Sequence, residues 1–162
     1  MLQAEIRRAL PCEAANLSAL ALRSKALWGY DAAFMDACRV PLTVDPEAIA
    51  KWPFYVLDED GTITGFYGLS GRPPRGEIEF LFVDPESVRS GRGQRLAQHF
   101  LAMARSLGFE EIDVSADPFA EGFYVAMGAW RIAEVPSDAI PNRLVPRLRF
   151  SLLTDRVTEP SV

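Results

Sequence analysis

The chain has 162 residues, of which 49% are hydrophobic and 24% charged, and its formal net charge is −5. This length and balance are typical of one globular domain with a sizeable core. They exclude wholesale disorder, collagen-like repeats and a disulfide scaffold. Because acidic side chains outnumber basic ones by 22 to 17, there is no general basic face for phosphates, and we expect no nucleic-acid partner.

The sequence also lacks the features of membrane, exported and metal-binding proteins. No apolar run reaches the roughly 18–20 residues of a membrane span, and residues 1–10 contain no signal-peptide core. We therefore expect a cytoplasmic protein with no membrane partner. Cys12 and Cys38 form no C-x-x-C pair and lie far from the single histidine, His99, so we expect two reduced, buried or half-buried thiols and no metal.

The spacing of apolar residues predicts a mixture of strands and helices. Alternating or continuous apolar runs predict strands over residues 2–9, 54–57, 63–69, 77–83, 112–115, 130–135 and 144–153. Helical periodicity and capping residues predict helices over residues 11–28, 32–39, 45–51, 93–107 and 117–127. A glycine turn at residues 58–61 and a longer connection at residues 71–76 separate the three central strands.

This order of elements predicts an α+β fold. We expect a mixed, mostly antiparallel twisted sheet of about seven strands with helices on both faces. A single domain is expected over residues 1–153, followed by a polar tail over residues 154–162. The apolar alternation of the last two strands permits a homodimer but does not require one.

The segment between the third central strand and the longest helix is the most informative for function. It contains two glycines, Gly91 and Gly93, and three arginines, Arg89, Arg92 and Arg95. A helix N-terminus presents unpaired N–H groups and a partial positive charge, and glycines let the backbone approach a phosphate closely. The pattern favours an anion site, with a pyrophosphate as its ligand. The Walker lysine and the third glycine of a dinucleotide fingerprint are absent, which disfavours a nicotinamide-dependent oxidoreductase.

The same residues resemble the motif of the GNAT superfamily of N-acetyltransferases, which use acetyl-coenzyme A. That motif reads Gln/Arg-x-x-Gly-x-Gly/Ala and follows a strand ending in Val-x-Pro. In this chain it falls on Val88–Gly93, after Val83-Asp84-Pro85. Val88 departs from the motif, whereas both glycines and the following Leu96 match it. The resemblance implies a GNAT-like fold in which the backbone amides of this loop bind the pyrophosphate of the coenzyme.

A second match lies downstream. Family members often carry Asn-x-x-Ala followed by Tyr and Gly at intervals of four residues, and Asp117, Ala120, Tyr124 and Gly128 occupy these places. Asp117 is acidic where the family has an amide that contacts the pantetheine arm, and Phe119 stands where one subgroup has Asn. The resemblance assigns these positions to the cofactor: Phe82, Val83, Val88, Arg89, Ser90, Gly91, Arg92, Gly93, Gln94, Arg95, Asp117 and Tyr124.

The resemblance also implies candidate catalytic residues for direct acetyl transfer to an amine. Tyr124 matches the tyrosine general acid of the family, and a phenol with a pKa near ~10 can protonate a leaving thiolate. Glu77 and Glu79 lie two apart on a strand and so face one side, where a carboxylate pair is costly to bury unless it is used or paired. The family often has a glutamate base on this strand, and the sequence leaves open which of the two serves. Pairing with Arg72, Arg75 or another arginine is the structural alternative.

In folds of this family the first helices and last strands build the acceptor pocket. Trp28, Tyr30 and Phe34 are therefore candidate substrate residues, although core packing alone explains each of them. The resemblance implies an N-acetyltransferase that takes acetyl-CoA and an amine on a small molecule or a protein. The alternative is a non-catalytic acyl-CoA-binding module with the same fold, and the sequence does not separate acetyl from longer acyl donors.

Overall fold

The computed structural model of the protein describes residues 3–87 and 90–153. Within these residues the chain forms five α-helices and seven strands. The helices are α1 (Ala14–Ala26), α2 (Ala32–Ala37), α3 (Pro46–Lys51), α4 (Arg92–Ser106) and α5 (Glu121–Ala126). The strands are β1 (Ala4–Arg8), β2 (Phe54–Glu59), β3 (Thr62–Arg72), β4 (Arg75–Val83), β5 (Glu111–Ser115), β6 (Trp130–Pro136) and β7 (Leu144–Ser151).

The strands form one sheet in the order β1-β2-β3-β4-β5-β7-β6. All neighbouring strands are antiparallel except β4 and β5, which are parallel. The predicted α+β class, with its mostly antiparallel sheet of seven strands, is confirmed. The polar tail predicted over residues 154–162 lies outside the described residues.

Helices cover both faces of the sheet because its central strands carry apolar side chains on both faces. On one face Leu96 and Phe100 of α4 are fully buried against the sheet, in what we call the α4 core. On the other face Leu17 and Leu20 of α1 are fully buried with Phe66 of β3, in what we call the α1 core. The amphipathic period that predicted both helices therefore reflects burial against this sheet.

The predicted helix starts hold because capping is a local interaction. Asp31 accepts a hydrogen bond from the Phe34 N–H at 2.8 Å and begins α2. Asp45 accepts one from the Glu47 N–H at 2.9 Å and begins α3. Each carboxylate satisfies an N–H that the first helical turn leaves unpaired.

The connection predicted over residues 71–76 is present but is shorter than predicted. In the structure β3 continues to Arg72 and β4 begins at Arg75, so only Pro73 and Pro74 separate the paired strands. Gly71 has a φ of 99°, which glycine adopts at little cost. The glycine and proline content thus belongs to a tight hairpin rather than to a loop.

Two irregularities in the centre of the sheet position the site. The parallel pairing of β4 with β5 covers only residues 75–77 against residues 111–113, so the two strands separate beyond that point. Residues 78–83 of β4 then have no strand partner on that edge among the described residues. In addition, Gly68 lies opposite Phe80 and Leu69 opposite Ile78, which makes Glu79 an extra, bulged residue of β4.

Two further observations concern the described residues alone. None of their helices is both long and apolar enough to cross a membrane. Neither do they contain a group of three or more His, Cys, Asp or Glu side chains that could hold a metal ion. Both cysteines are free thiols: Cys38 is buried, as predicted, whereas Cys12 is exposed, contrary to the expectation of a buried or half-buried thiol.

Candidate active site

A cavity of about 1410 Å³ opens where β4 and β5 separate. Its walls come from β4, the end of β5, the start of α4, the start of α5, the end of α1 and the β6–β7 loop. Predicted site residues from distant parts of the chain therefore meet in one place. Those that line the cavity are Trp28, Glu77, Glu79, Phe82, Val83, Gly91, Gly93, Gln94, Asp117 and Tyr124.

The N-terminus of α4 forms one end of the cavity. Gly91 is its N-cap residue and has a φ of 83°, a left-handed conformation that favours glycine. The first helical hydrogen bond runs from the Arg95 N–H to the Gly91 carbonyl at 3.0 Å, so the N–H groups of residues 92–94 have no acceptor within the helix. The predicted anion site has the backbone donors that it requires. Val88 and Arg89, two of the predicted cofactor residues, lie outside the described residues.

Two arginines at this end, Arg92 and Arg95, were expected to add positive charge to the anion site, but their side chains point elsewhere. Arg92 forms two hydrogen bonds of 2.8 Å with the carboxylate of Glu59 on β2. Arg95 donates to the Ala4 carbonyl of β1 at 3.2 Å. Neither side chain lines the cavity, whereas Gly91, Gly93 and Gln94 do. The helical period explains this difference, because it turns positions 92 and 95 away from the cavity.

Tyr124 lies on α5 in the α4 core and also lines the cavity. Its residue surface is only 5% exposed, and it packs edge-on to Phe123 and Phe150. Burial raises the pKa of the Tyr124 phenol above its ordinary value. The hydroxyl is therefore protonated at neutral pH.

The two candidate bases differ in their partners. Glu77 forms an ion pair of 2.5 Å with Arg147 of β7, so the structural alternative considered for these carboxylates holds for Glu77. Glu79 is exposed to the cavity, forms no ion pair among the described residues, and accepts a hydrogen bond of 2.6 Å from the Ser70 hydroxyl. Of the pair, only Glu79 has a carboxylate that no cation neutralises.

The bulge at Glu79 is a feature that alternation alone misses. Ile78 packs in the α4 core, whereas Phe80 packs against the α1 core. In an uninterrupted strand these two side chains would share a face, so the extra residue switches the face on which β4 presents its side chains. No signal in the sequence marks this position, because a bulge depends on the register with β3.

Asp117 lies at the centre of a polar network that the sequence does not reveal. Its Oδ2 accepts hydrogen bonds from the Lys25 Nζ at 2.5 Å and from the Tyr30 hydroxyl at 2.8 Å. Its Oδ1 accepts one from the Phe119 N–H at 2.8 Å and caps the turn before α5. Arg143 donates to the Tyr30 oxygen at 2.8 Å. The network joins α1, the segment before α2, the start of α5 and the β6–β7 loop.

The pKa values of this network follow from burial and charge. Burial raises the pKa of Asp117, but the hydrogen bonds from Lys25, Phe119 and Tyr30 outweigh that effect, and its pKa is lowered overall. Burial, together with the neighbouring Asp117 carboxylate, raises the pKa of Tyr30 to about 12. Asp117 is therefore ionised and Tyr30 protonated at neutral pH. Lys25 and Asp117 are 92 positions apart, so no local spacing could have indicated this pair.

The three predicted acceptor residues lie together but play different parts. Trp28 lines the cavity and stacks on Phe119, with ring centroids 5.3 Å apart and an interplanar angle of 12°. Tyr30 stacks on Phe34 with centroids 3.8 Å apart, and neither of the two lines the cavity. Phe119, which departs from the family subgroup, is 58% exposed at the cavity.

Comparisons with known proteins agree with this geometry. The model of the acetyltransferase (GNAT) family matches residues 24–129. No curated protein sequence matches the chain. The solved structures with similar folds include a PaiA N-acetyltransferase from Thermoplasma acidophilum in complex with coenzyme A, with a TM-score of 0.76 and 16% identity over 92% of this chain and 99% of that chain.

Two further structures are similar. YncA from Salmonella typhimurium, solved with its cofactor acetyl-CoA, has a TM-score of 0.67 and 18% identity over 99% of this chain and 97% of that chain. An N-acetyltransferase from Rhodopseudomonas palustris has a TM-score of 0.76 and 20% identity over 92% of this chain and 96% of that chain. At these identities the likeness is one of fold. The family model, however, spans well over half of the chain, and the chain belongs to the GNAT family of acetyltransferases.

Proposed function

We propose that the protein is an acetyl-CoA-dependent N-acetyltransferase that moves an acetyl group directly to an amine, with Glu79 as general base and Tyr124 as general acid. One observation carries the proposal. A single cavity brings together the unpaired N–H groups of α4, the open edge of β4, an unneutralised carboxylate and a protonated phenol. Coenzyme A in the PaiA structure and acetyl-CoA in the YncA structure support the choice of cosubstrate.

The residues present fit acetyl-CoA. Unpaired N–H groups at the start of a 15-residue helix suit a pyrophosphate. A Cβ atom added at Gly91 would meet no atom within 4 Å, so the anion end is open. The edge of β4 over residues 78–83 offers backbone donors and acceptors to the amides of a pantetheine arm. When bound, acetyl-CoA supplies an activated acetyl thioester.

Glu79 is the group that we assign to the proton of the acceptor amine. An amine attacks only when neutral, and a carboxylate that no cation neutralises can accept its proton. The Ser70 hydroxyl donates to Glu79 at 2.6 Å and holds the carboxylate in one orientation. Glu77 is poorly suited to this role because its carboxylate is held in an ion pair by Arg147.

Tyr124 is the group that we assign to the leaving sulfur. Burial favours the neutral phenol, so its hydroxyl holds a proton throughout the neutral range. Donation of this proton converts the leaving thiolate to a thiol. Backbone N–H groups near Phe82 and Val83, on the open edge of β4, are the candidate donors for the developing oxyanion.

The test combines binding and turnover. We expect micromolar binding of acetyl-CoA by calorimetry, with NADH as the negative control, and release of free thiol in the presence of an amine panel. Glu79→Gln and Tyr124→Phe should each lower kcat by about 10²–10⁴-fold while leaving acetyl-CoA binding within a few-fold of the parent. Glu77→Gln is the matched control on the same strand and should retain most activity.

The outcomes separate the alternatives. Acetyl-CoA binding without turnover on any amine would support the non-catalytic acyl-CoA-binding module instead. Equal decreases in kcat for Glu77→Gln and Glu79→Gln would refute the assignment of Glu79 as the base. Absence of both acetyl-CoA and CoA binding would refute the proposed function, and leave only the fold. Comparison with longer acyl-CoA donors in the same assay would define the acyl group.

A further inference from the structure

Arg143 is a cavity residue that the proposed chemistry does not use. Its side chain is 21% exposed and lines the cavity from the β6–β7 loop. Its Nη2 donates to the Tyr30 oxygen at 2.8 Å and lies 3.8 Å from Asp117, and its guanidinium lies over the rings of Tyr30 and Phe34 at 5.3 and 4.9 Å. A guanidinium has five N–H donors in a planar fork. Most of them have no protein acceptor among the described residues.

The charges around Arg143 do not balance. Lys25 and Arg143 are two cations around a single carboxylate, and Asp117 lies closer to Lys25, at 2.5 Å. Asp117 is only 8% exposed, and Lys25 only 15%, so solvent screens this pair weakly. One positive charge, that of Arg143, therefore has no neutralising partner within hydrogen-bond distance.

The other charged groups of the cavity are arranged differently. Arg147 is neutralised by Glu77 and is also bonded to Ser115, so it offers no comparable site. Glu79 and Asp138 line the described cavity without an ion pair among the described residues. The cavity thus contains carboxylates without an ion pair, for an ammonium group, and a guanidinium that shares one carboxylate with Lys25, for an anion.

Aromatic rings lie beside this guanidinium. Trp28 is 38% exposed and Phe119 58% exposed, although both are large apolar side chains that proteins usually cover. They stack on each other, and both line the cavity. This exposed pair of flat rings lines the same cavity as Arg143, and Phe119 lies 6.0 Å from the Tyr30 ring that the guanidinium covers. The arrangement is suited to an acceptor with a flat apolar body and one anionic end.

We propose that the acceptor is an amine that also carries a carboxylate, and that Arg143 binds this carboxylate while Trp28 and Phe119 contact the apolar body between the two groups. The inference rests on the proposed function and names the acceptor class of the same site. A carboxylate, with one negative charge and two coplanar oxygens, matches the single surplus charge and the fork of Arg143. A phosphate monoester carries more charge than this cluster can neutralise.

Paired acceptors test the inference. The acids are phenylalanine, para-(aminomethyl)benzoate and para-(aminoethyl)benzoate, which differ in the separation of amine and carboxylate, and each is compared with its own methyl ester. We expect at least one acid to exceed its ester in kcat/KM by about tenfold or more, because an ester has no negative charge and cannot form an ion pair with the guanidinium. para-(Aminomethyl)phenylphosphonate tests the doubly charged alternative, and a preference for it over the carboxylate would overturn the assignment.

Variants locate the effect at Arg143. Arg143→Gln should lower kcat/KM for the preferred acid by about 10- to 100-fold and leave its methyl ester within about twofold of the parent. Arg143→Lys keeps the positive charge but loses the forked donors, so its kcat/KM for the preferred acid should lie between those of the parent and of Arg143→Gln. Arg131→Gln is the matched control, because Arg131 is an ion-paired surface arginine of β6 that does not line the cavity.

A binding measurement is independent of turnover. para-Methylbenzoate has the carboxylate and the ring but no amine, so it should bind the parent protein by calorimetry and lose about tenfold in affinity in Arg143→Gln. Thermal unfolding of each variant shows whether it is folded. If acids and esters react equally while acetyl-CoA binding and turnover persist, the inference fails and the proposed function stands. If no amine reacts but acetyl-CoA and para-methylbenzoate bind, the proposed function fails instead.

Discussion

Replacement of Asp117 by Asn would test whether the buried polar network holds the acceptor side of the site together. Asn has nearly the same shape and keeps an oxygen for the Phe119 N–H, so the turn before α5 retains its cap. The substitution removes the negative charge that Lys25 contacts at 2.5 Å and Tyr30 at 2.8 Å. The effect is therefore electrostatic rather than one of volume.

The magnitude follows from the burial of the pair. Removing one member of a fully buried ion pair costs roughly 3–5 kcal/mol, because the remaining charge is left without a partner. The Lys25 side chain retains 15% exposure at the cavity, which allows partial hydration. We expect a loss of about 2–3 kcal/mol in the free energy of unfolding, or about 5–10 °C in Tm for a chain of this size.

The pH dependence has a defined sign. Because the folded-state pKa of Asp117 is lowered, its contribution to stability is fully present above the unfolded pKa of about 3.9 and is lost as the pH falls through the folded value. The difference in unfolding free energy between the parent and Asp117→Asn should therefore stay constant from neutral pH to about pH 5. It should shrink below about pH 4. Urea unfolding followed by circular dichroism at several pH values measures both.

A second substitution makes the reasoning refutable. Adding Lys25→Met to Asp117→Asn removes the unpaired ammonium and fills the same space with apolar atoms, so it should restore at least half of the lost stability. If Asp117→Asn costs less than about 0.5 kcal/mol, or if Lys25→Met deepens the loss in that background, the network does not stabilise this region and the reasoning is wrong.

Three further substitutions have defined outcomes. Phe100 has 0% exposure, and Phe100→Ala should lower the free energy of unfolding in urea by about 3–5 kcal/mol. Phe119 is 58% exposed, and Phe119→Ala should change that free energy by less than about 0.5 kcal/mol. Similar losses of stability in the two variants would contradict the assigned cores. Gly91 has a φ of 83°, so Gly91→Ala should lower the free energy of unfolding by about 1 kcal/mol and weaken acetyl-CoA binding. Gly122 lies in α5 with no atom within 4 Å of an added methyl group, so Gly122→Ala should stabilise the fold slightly. Burial lowers the pKa of His99, whose Nδ1 lies 2.6 Å from the Tyr67 hydroxyl, so its contribution to stability should be complete above about pH 6.5 and should be lost as the pH falls below that value. His99→Gln should abolish this dependence of the free energy of unfolding on pH. An unchanged dependence would show that another group causes it.

The position of much of the candidate site could be predicted from the sequence because its proposed cofactor side is built from local signals. The glycines of the loop and the start of α4 follow from spacing along one stretch of chain, and the family resemblance singles out the tyrosine of α5. Gly91 takes the left-handed conformation that its identity favours, and the helix begins within one residue of the predicted position. Such features depend on neighbours a few residues away.

The acceptor side could not be predicted in the same way. Lys25 meets Asp117, and Glu77 meets Arg147, across 92 and 70 positions of the chain. The sequence presented Glu77 and Glu79 as equivalent, and only the position of Arg147 on β7 distinguishes them. Likewise, only the register between β3 and β4 makes Glu79 the bulged residue.

The sequence by itself determined the α+β class, the order of most elements, the glycine loop at the start of α4 and the family resemblance, because periodicity, caps and glycine conformations are properties of short segments. The tertiary structure decided that β4 and β5 separate and that Arg92 pairs with Glu59 away from the cavity. It also decided that Arg143 lines the cavity with N–H groups that have no acceptor among the described residues. These outcomes depend on which strands become neighbours and in what register. Burial then fixes the charge state of each group, since the energy of a charge depends on partners that only the folded chain brings into contact.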